Sequence, residues 1–98
     1  MINFTHSLNT KMTKQEKENS RQVTIFFKYE KLMKEAKKSK ADYLYCKAKD
    51  PLNLDDKNRI ALSNLIIIFK EDAIAYWNKA EALRNEYPFL DEMIASKK

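Results

Sequence analysis

Apolar residues recur along this chain in two long runs, each at the spacing of a single helix face. In the first run Ile25, Tyr29, Leu32, Ala36, Ser39, Tyr43 and Cys46 follow one another at gaps of 4, 3, 4, 3, 4 and 3. In the second, Leu62, Ile66, Phe69, Ala73, Tyr76, Ala80, Leu83 and Tyr87 keep gaps of 4, 3, 4, 3, 4, 3 and 4 without a missing term. Steps of three and four hold side chains on one side of a 3.6-residue helix, so each run predicts a long helix with one apolar seam. Thr13-Lys-Gln-Glu16 has the capping-box pattern, in which the threonine hydroxyl takes an orphan N–H and the glutamate reaches back, and it opens a helix over 13–48. Asp50-Pro-Leu-Asn-Leu-Asp-Asp56 then breaks the pattern, because Pro51 disfavours α geometry at Asp50 and Asn and Asp suit turns and caps. The spacing therefore predicts a loop over 49–55 and a helix over 56–87 with Asp55 or Asp56 as its cap. Pro88 ends that helix and opens a short one over 88–96 carrying Phe89, Leu90, Met93 and Ile94. Residues 1–12 read as a flexible N-terminal tail, and 13–98 as a single helical domain.

So short a connection forces the long helices to be antiparallel neighbours. A turn centred near Leu52 and Asn53 sets Ala36 by Phe69, Leu32 by Ala73, Tyr29 by Tyr76 and Ile25 by Ala80, with mostly large residues opposite small ones. Charge agrees: residues 13–49 hold 11 basic and 5 acidic side chains, whereas 50–96 hold 5 basic and 9 acidic, so the halves attract. The expected fold class is all-α, an antiparallel helical hairpin of two long helices plus a short C-terminal helix, which a second copy would complete into a four-helix bundle.

Composition narrows the function classes. With 44% hydrophobic and 34% charged residues the chain lies in the globular range, but at 98 residues it buries only about 60–65% of its unfolded surface. Glycine is absent. Phosphate-cradling loops, dinucleotide fingerprints and nucleophile elbows all need glycine for positive φ or close backbone approach. One cysteine, Cys46, cannot form an internal disulfide, and one histidine, His6, cannot build a common zinc site. The adjacent pairs Asp55 and Asp56, Glu71 and Asp72, and Asp91 and Glu92 diverge by about 100° on a helix and do not converge as an acid–base dyad. Cys46 reads as a small seam residue. No enzyme, cofactor, metal or small-molecule substrate is expected. The longest apolar stretch, Leu65 to Phe69, is far below the roughly 20 residues of a membrane span, and the N-terminus lacks signal-peptide features, so no membrane partner and a cytoplasmic location are expected. Basic residues number 19, nearly all lysine, in keeping with an AT-rich coding bias such as that of a low-GC bacterium or a phage, whose host cytoplasm would then be the location.

Two surfaces remain. Helix two has a second apolar stripe, Ile60, Ile67, Ile74 and Trp77, and helix one has Val23, Phe26, Met33 and Leu44. Something must cover them: the C-terminal helix and tail, a second copy, or a different protein. Trp77, Ile74, Ile67, Phe26 and Met33 are the candidate anchors for a protein partner or for self-association, since aromatic and large apolar groups in a desolvated patch carry most contact energy. The other surface is a basic stripe on helix one, Lys31, Lys34, Lys38 and Lys49 with Phe27 and Tyr45. Lysines neutralise phosphates and aromatic rings stack on unpaired bases, so nucleic acid is the alternative partner.

Lys70-Glu-Asp-Ala73, Ala75-Tyr76 and Asn78-Lys79 resemble part of the last helix of acyl-CoA-binding proteins, but the lysine–tryptophan element and glycine-containing turns of that family are missing, and nothing is taken from it. The expectation is a non-catalytic helical interaction protein that binds and regulates or inhibits another macromolecule, an accessory protein of a phage or low-GC bacterium. The alternatives are an RNA- or single-stranded-DNA-binding hairpin and a structural subunit of an assembly.

Overall fold

The computed structural model describes residues 12–97, which form three α-helices and no strand. The expected tail over 1–12 falls, except for Met12, outside the described residues, as does His6. Helix α1 spans Lys14–Lys47, a 3₁₀ turn covers Pro51–Asn53, α2 spans Asp56–Glu86 and α3 spans Phe89–Lys97.

Each boundary has a local cause. The Thr13 hydroxyl accepts the Glu16 backbone N–H at 3.0 Å and satisfies one orphan donor of α1. With no glycine available for a left-handed cap, α1 ends by tightening: Ala48 N–H donates to Leu44 O at 3.0 Å and Lys49 N–H to Cys46 O at 3.2 Å, with no positive φ among the described residues. Asp50 accepts the Leu52 N–H at 2.9 Å ahead of Pro51, and Asp55 accepts the Asn58 N–H at 2.8 Å to start α2. Tyr87, held out of α geometry by the following proline, ends α2 at φ −125°. Pro88 immediately precedes α3, where its missing N–H costs nothing, and its carbonyl accepts the Asp91 N–H at 3.1 Å.

The long helices lie against each other, and α3 folds back onto both. Arg21 of α1 stands 5.8 Å from the ring centroid of Tyr87 at the end of α2, and Phe26 and Tyr29 share a cluster with Ala80 and Leu83. Farther along, Ala36 and Ala73 line one groove. Rising numbers on α1 thus meet falling numbers on α2, which is the order of opposite chain directions. The molecule is elongated, 65 × 33 × 21 Å, with a radius of gyration of 20.9 Å against about 13 Å for a compact chain of this length.

Every residue of both seams is buried or half-buried. Tyr29 clusters with Ala80 and Leu83, Ile25 packs against the same cluster, and Ala36 shares a groove with Ala73. The turn is not symmetric about Leu52 and Asn53. The 3₁₀ turn carries the chain onward before α2 begins, and the first residues of α2 after Asp55 are exposed through Ala61, Ile60 at 64%. The closed core is Phe26, Tyr29, Ala80, Leu83 and Leu90, with Ala80 and Leu90 wholly buried, and Met93 and Ile94 of α3 and Met33 of α1 pack against it.

Candidate interaction surface

The candidate anchors separate into two groups. Trp77, Ile74 and Ile67 stand about half exposed on α2, at 48, 51 and 53%. Phe26 does not belong with them. Although it lies off the seam of α1, α3 folds over it and makes it part of the core, at 9% exposure, with the Lys97 ammonium 5.4 Å from its ring centroid. Met33 is likewise half-buried against that core. Phe26 is thereby corrected from partner anchor to packing residue, because α3 covers it, whereas Met33 still lines an open hollow beside α3. Ile60, Leu65 and Ile68 extend the exposed apolar surface of α2.

Beside Trp77 the long helices enclose an open groove of about 510 Å³. Ala36 and Ala73 both line it, and small residues on each helix leave room between them. Tyr43 of α1 and Ile74 and Trp77 of α2 line it with apolar side chains, Lys37, Lys40 and Lys70 complete it, and no Asp or Glu lines it. A second groove of about 540 Å³, lined by Phe26, Tyr29, Met33 and Ile94, lies at the C-terminal end of α3. Lys37 belongs to both, so the two hollows adjoin, this one between α1 and α3 and the first between α1 and α2.

Lys37, Lys40, Lys70 and Tyr43 were missed as site residues in the sequence. Tyr43, Ala36 and Ala73 were legible only as seam members, and the groove depends on a register that periodicity does not fix.

The basic stripe is exposed at Lys31, Lys34 and Lys38, none of which joins an ion pair among the described residues. Phe27 and Tyr45 beside them are 61 and 65% exposed. Lys49 lies beyond the end of α1, and its ammonium folds 4.2 Å over the Tyr45 ring, an attraction between cation and ring face that occupies both groups.

The ion pairs that join one helix to another, Arg84–Asp91 and Lys97–Glu30, lie at the opposite end. The Arg21 guanidinium grips Glu18 through two bonds of 3.0 and 2.7 Å, which hold the Glu18 carboxyl below its ordinary range. Arg84 of α2 bonds Asp91 of α3 at 2.9 Å through Nε, and Lys97 of α3 pairs with Glu30 of α1. Cys46 is buried, and no three His, Cys, Asp or Glu side chains among the described residues gather as a metal site. No helix of the described residues is long and apolar enough to cross a membrane. No protein-family model, no curated protein and no solved structure matches the chain.

Proposed function

We propose that the chain is a non-catalytic interaction protein that binds another protein through the outward face of α2 and regulates it. The observation that carries this reading is the exposure of Ile67, Ile74 and Trp77 together with Ile60, Leu65 and Ile68 on one helix. Scattered apolar residues are ordinary on a surface, but a run of large ones along a helix marks a contact face. Full burial of an exposed side chain of this kind stabilises by about 1.5–3 kcal/mol, and with these residues about half exposed a partner covering several of them gains roughly half of that from each toward the cost of association.

The test compares the native chain with the Ile67→Ser, Ile74→Ser, Trp77→Ser variant as immobilised bait in native lysate, with nuclease treatment and mass identification of what is retained. Nuclease-resistant retention of a defined protein by the native chain, lost in a variant that keeps its melting temperature, is the expected result. Equal retention by both overturns the reading.

A second reading rests on Lys31, Lys34 and Lys38 with the exposed Phe27, a charged and aromatic face suited to single-stranded nucleic acid. It expects affinity that falls steeply with salt and disappears when the three lysines are reversed to glutamate. Absence of RNA or DNA binding at low ionic strength removes it.

A further inference from the structure

We propose that the groove between Ala36, Tyr43, Ala73 and Trp77 is a docking site for an acidic amphipathic helix supplied by the partner. The proposal rests on the reading of the chain as a protein-interaction module and names the chemistry of what it binds.

The two long helices already carry one such helix, α3. It is an amphipathic helix whose Leu90, Met93 and Ile94 turn into the core while Asp91 meets Arg84 on the α2 side. Its described course ends at Lys97, beside Glu30 of α1. At that end the hollow between α1 and α3 adjoins, at Lys37, the open groove, whose walls are α1 and α2. From Ala36 to Tyr43 it follows about 10 Å of α1, two turns at 1.5 Å per residue. The small floor admits the side chains of a helix stripe, and the Tyr43 and Trp77 rings offer flat apolar walls.

The rim sets the sign of the occupant. Lys37 and Lys40 stand on the α1 side and Lys70 on the α2 side, with no carboxylate between them to neutralise the groove. A helix with a basic flank would add like charge at close range, whereas one with Glu or Asp on both edges of its apolar stripe meets a cation on each side. Recognition of an amphipathic helix in a groove through apolar side chains at i, i+3, i+4 and i+7 is a general mode. Here the rim adds charge selection to it.

The test uses two synthetic helical peptides with the same leucine stripe, one with glutamates flanking it and the other with lysines. Trp77 is the only tryptophan of the chain, so its emission reports on the groove directly. The expected result is a blue shift on titration with the acidic peptide, affinity at least about tenfold above that of the lysine peptide at low salt, and weakening as ionic strength screens the rim. In a Lys37→Glu, Lys40→Glu, Lys70→Glu variant the preference should invert. Equal affinity for both peptides, binding of neither, or an unchanged preference in the reversed variant overturns the proposal. So does a dimer in sedimentation that Lys40→Glu alone dissolves, because a second copy then fills the groove. The peptide comparison on the native chain stands even if the triple variant unfolds. Ile67 does not line the groove: a partner lost on Ile67→Ser with neither peptide bound fails this proposal alone. A partner retained by the Ile67→Ser, Ile74→Ser, Trp77→Ser chain fails the broader reading.

Discussion

The end of the molecule that carries α3 and the end that carries the turn are built from the same two helices, yet only the first is closed. At the α3 end, Phe26, Tyr29, Ala80, Leu83 and Leu90 form a cluster from three helices, and ion pairs from Arg84 and Lys97 clamp its edges. At the turn end α1 buries Ala36, Ser39 and Cys46, but no residue of α2 before Ala80 is buried. Two helices can each bury one seam and no more. The difference teaches that a third helix, not the length of the hairpin, decides where this chain has a core.

The largest expected effect is therefore at Leu90, wholly buried and contributed by α3. Leu90→Ala should cost about 2–5 kcal/mol, since it loses transfer energy and leaves a cavity, and urea unfolding monitored by circular dichroism measures it. Ile67→Ser on the open end should change stability by no more than about 0.5 kcal/mol. If the two changes cost alike, the turn end is covered in solution and the comparison breaks.

Next comes the cap of α2, which starts at the open end. Asp55→Ala removes the acceptor of the Asn58 N–H and should cost about 1 kcal/mol. The expected signature is loss of amide-exchange protection in the first turns of α2, with the protection of Ala80 and Leu83 little changed. Equal loss throughout α2 would mean that the two ends unfold as one unit.

Much of this contrast was legible in the residues and part was not. Seam membership followed from gaps of three and four, and the caps at Thr13 and Asp55 from side chains that can accept a backbone N–H. Register was not legible, because a period marks a helix face without saying which turn meets which. That depends on how far Pro51–Asn53 carries the chain before Asp55 restarts it. The groove lined by both Ala36 and Ala73 was therefore not legible either. Phe26 was misplaced for a related reason. Its position off the seam is plain in the sequence, but whether a partner or α3 covers it is a question of where Pro88 sends the chain.

The clamp of α3 should respond more weakly than the core. Arg84→Met removes the bonds to Asp91 and Glu81 on a partly solvated surface, where ion pairs contribute little and salt screens them. The arginine is raised above its ordinary value by the hydrogen bond to Asp91 first and by that carboxylate's charge second. A raised group contributes below its unfolded pKa and loses that contribution only as pH climbs through its folded one, so this term is constant at ordinary pH. The expected outcome is amide exchange in α3 quickened a few-fold, with the α1 and α2 seams unaltered. Exchange quickened equally at Ala36 and Ala73 would show that the clamp also holds the open end.

The smallest effect is at Glu18, and its sign is fixed. Its carboxyl is held below the ordinary value chiefly by the Arg21 guanidinium and secondarily by the Gln22 amide, while Arg21 also lies over Tyr87 and so ties the start of α1 to the end of α2. A carboxyl depressed in the folded state stabilises above its unfolded pKa, about 4.3, and that contribution is lost as pH falls through the lower folded value. The native chain should therefore lose some resistance to urea between pH 5 and the acid range, and Glu18→Gln, which cannot ionise, should show a shallower decline with its midpoint at neutral pH slightly lower. Because the pair lies at the surface, the change is a small displacement of the midpoint and should shrink further in high salt. Were Glu18→Gln to leave the acid decline unchanged, the Arg21–Glu18 pair would have no part in fastening the closed end, and the packing of Leu90, Phe26 and Leu83 would hold it unaided.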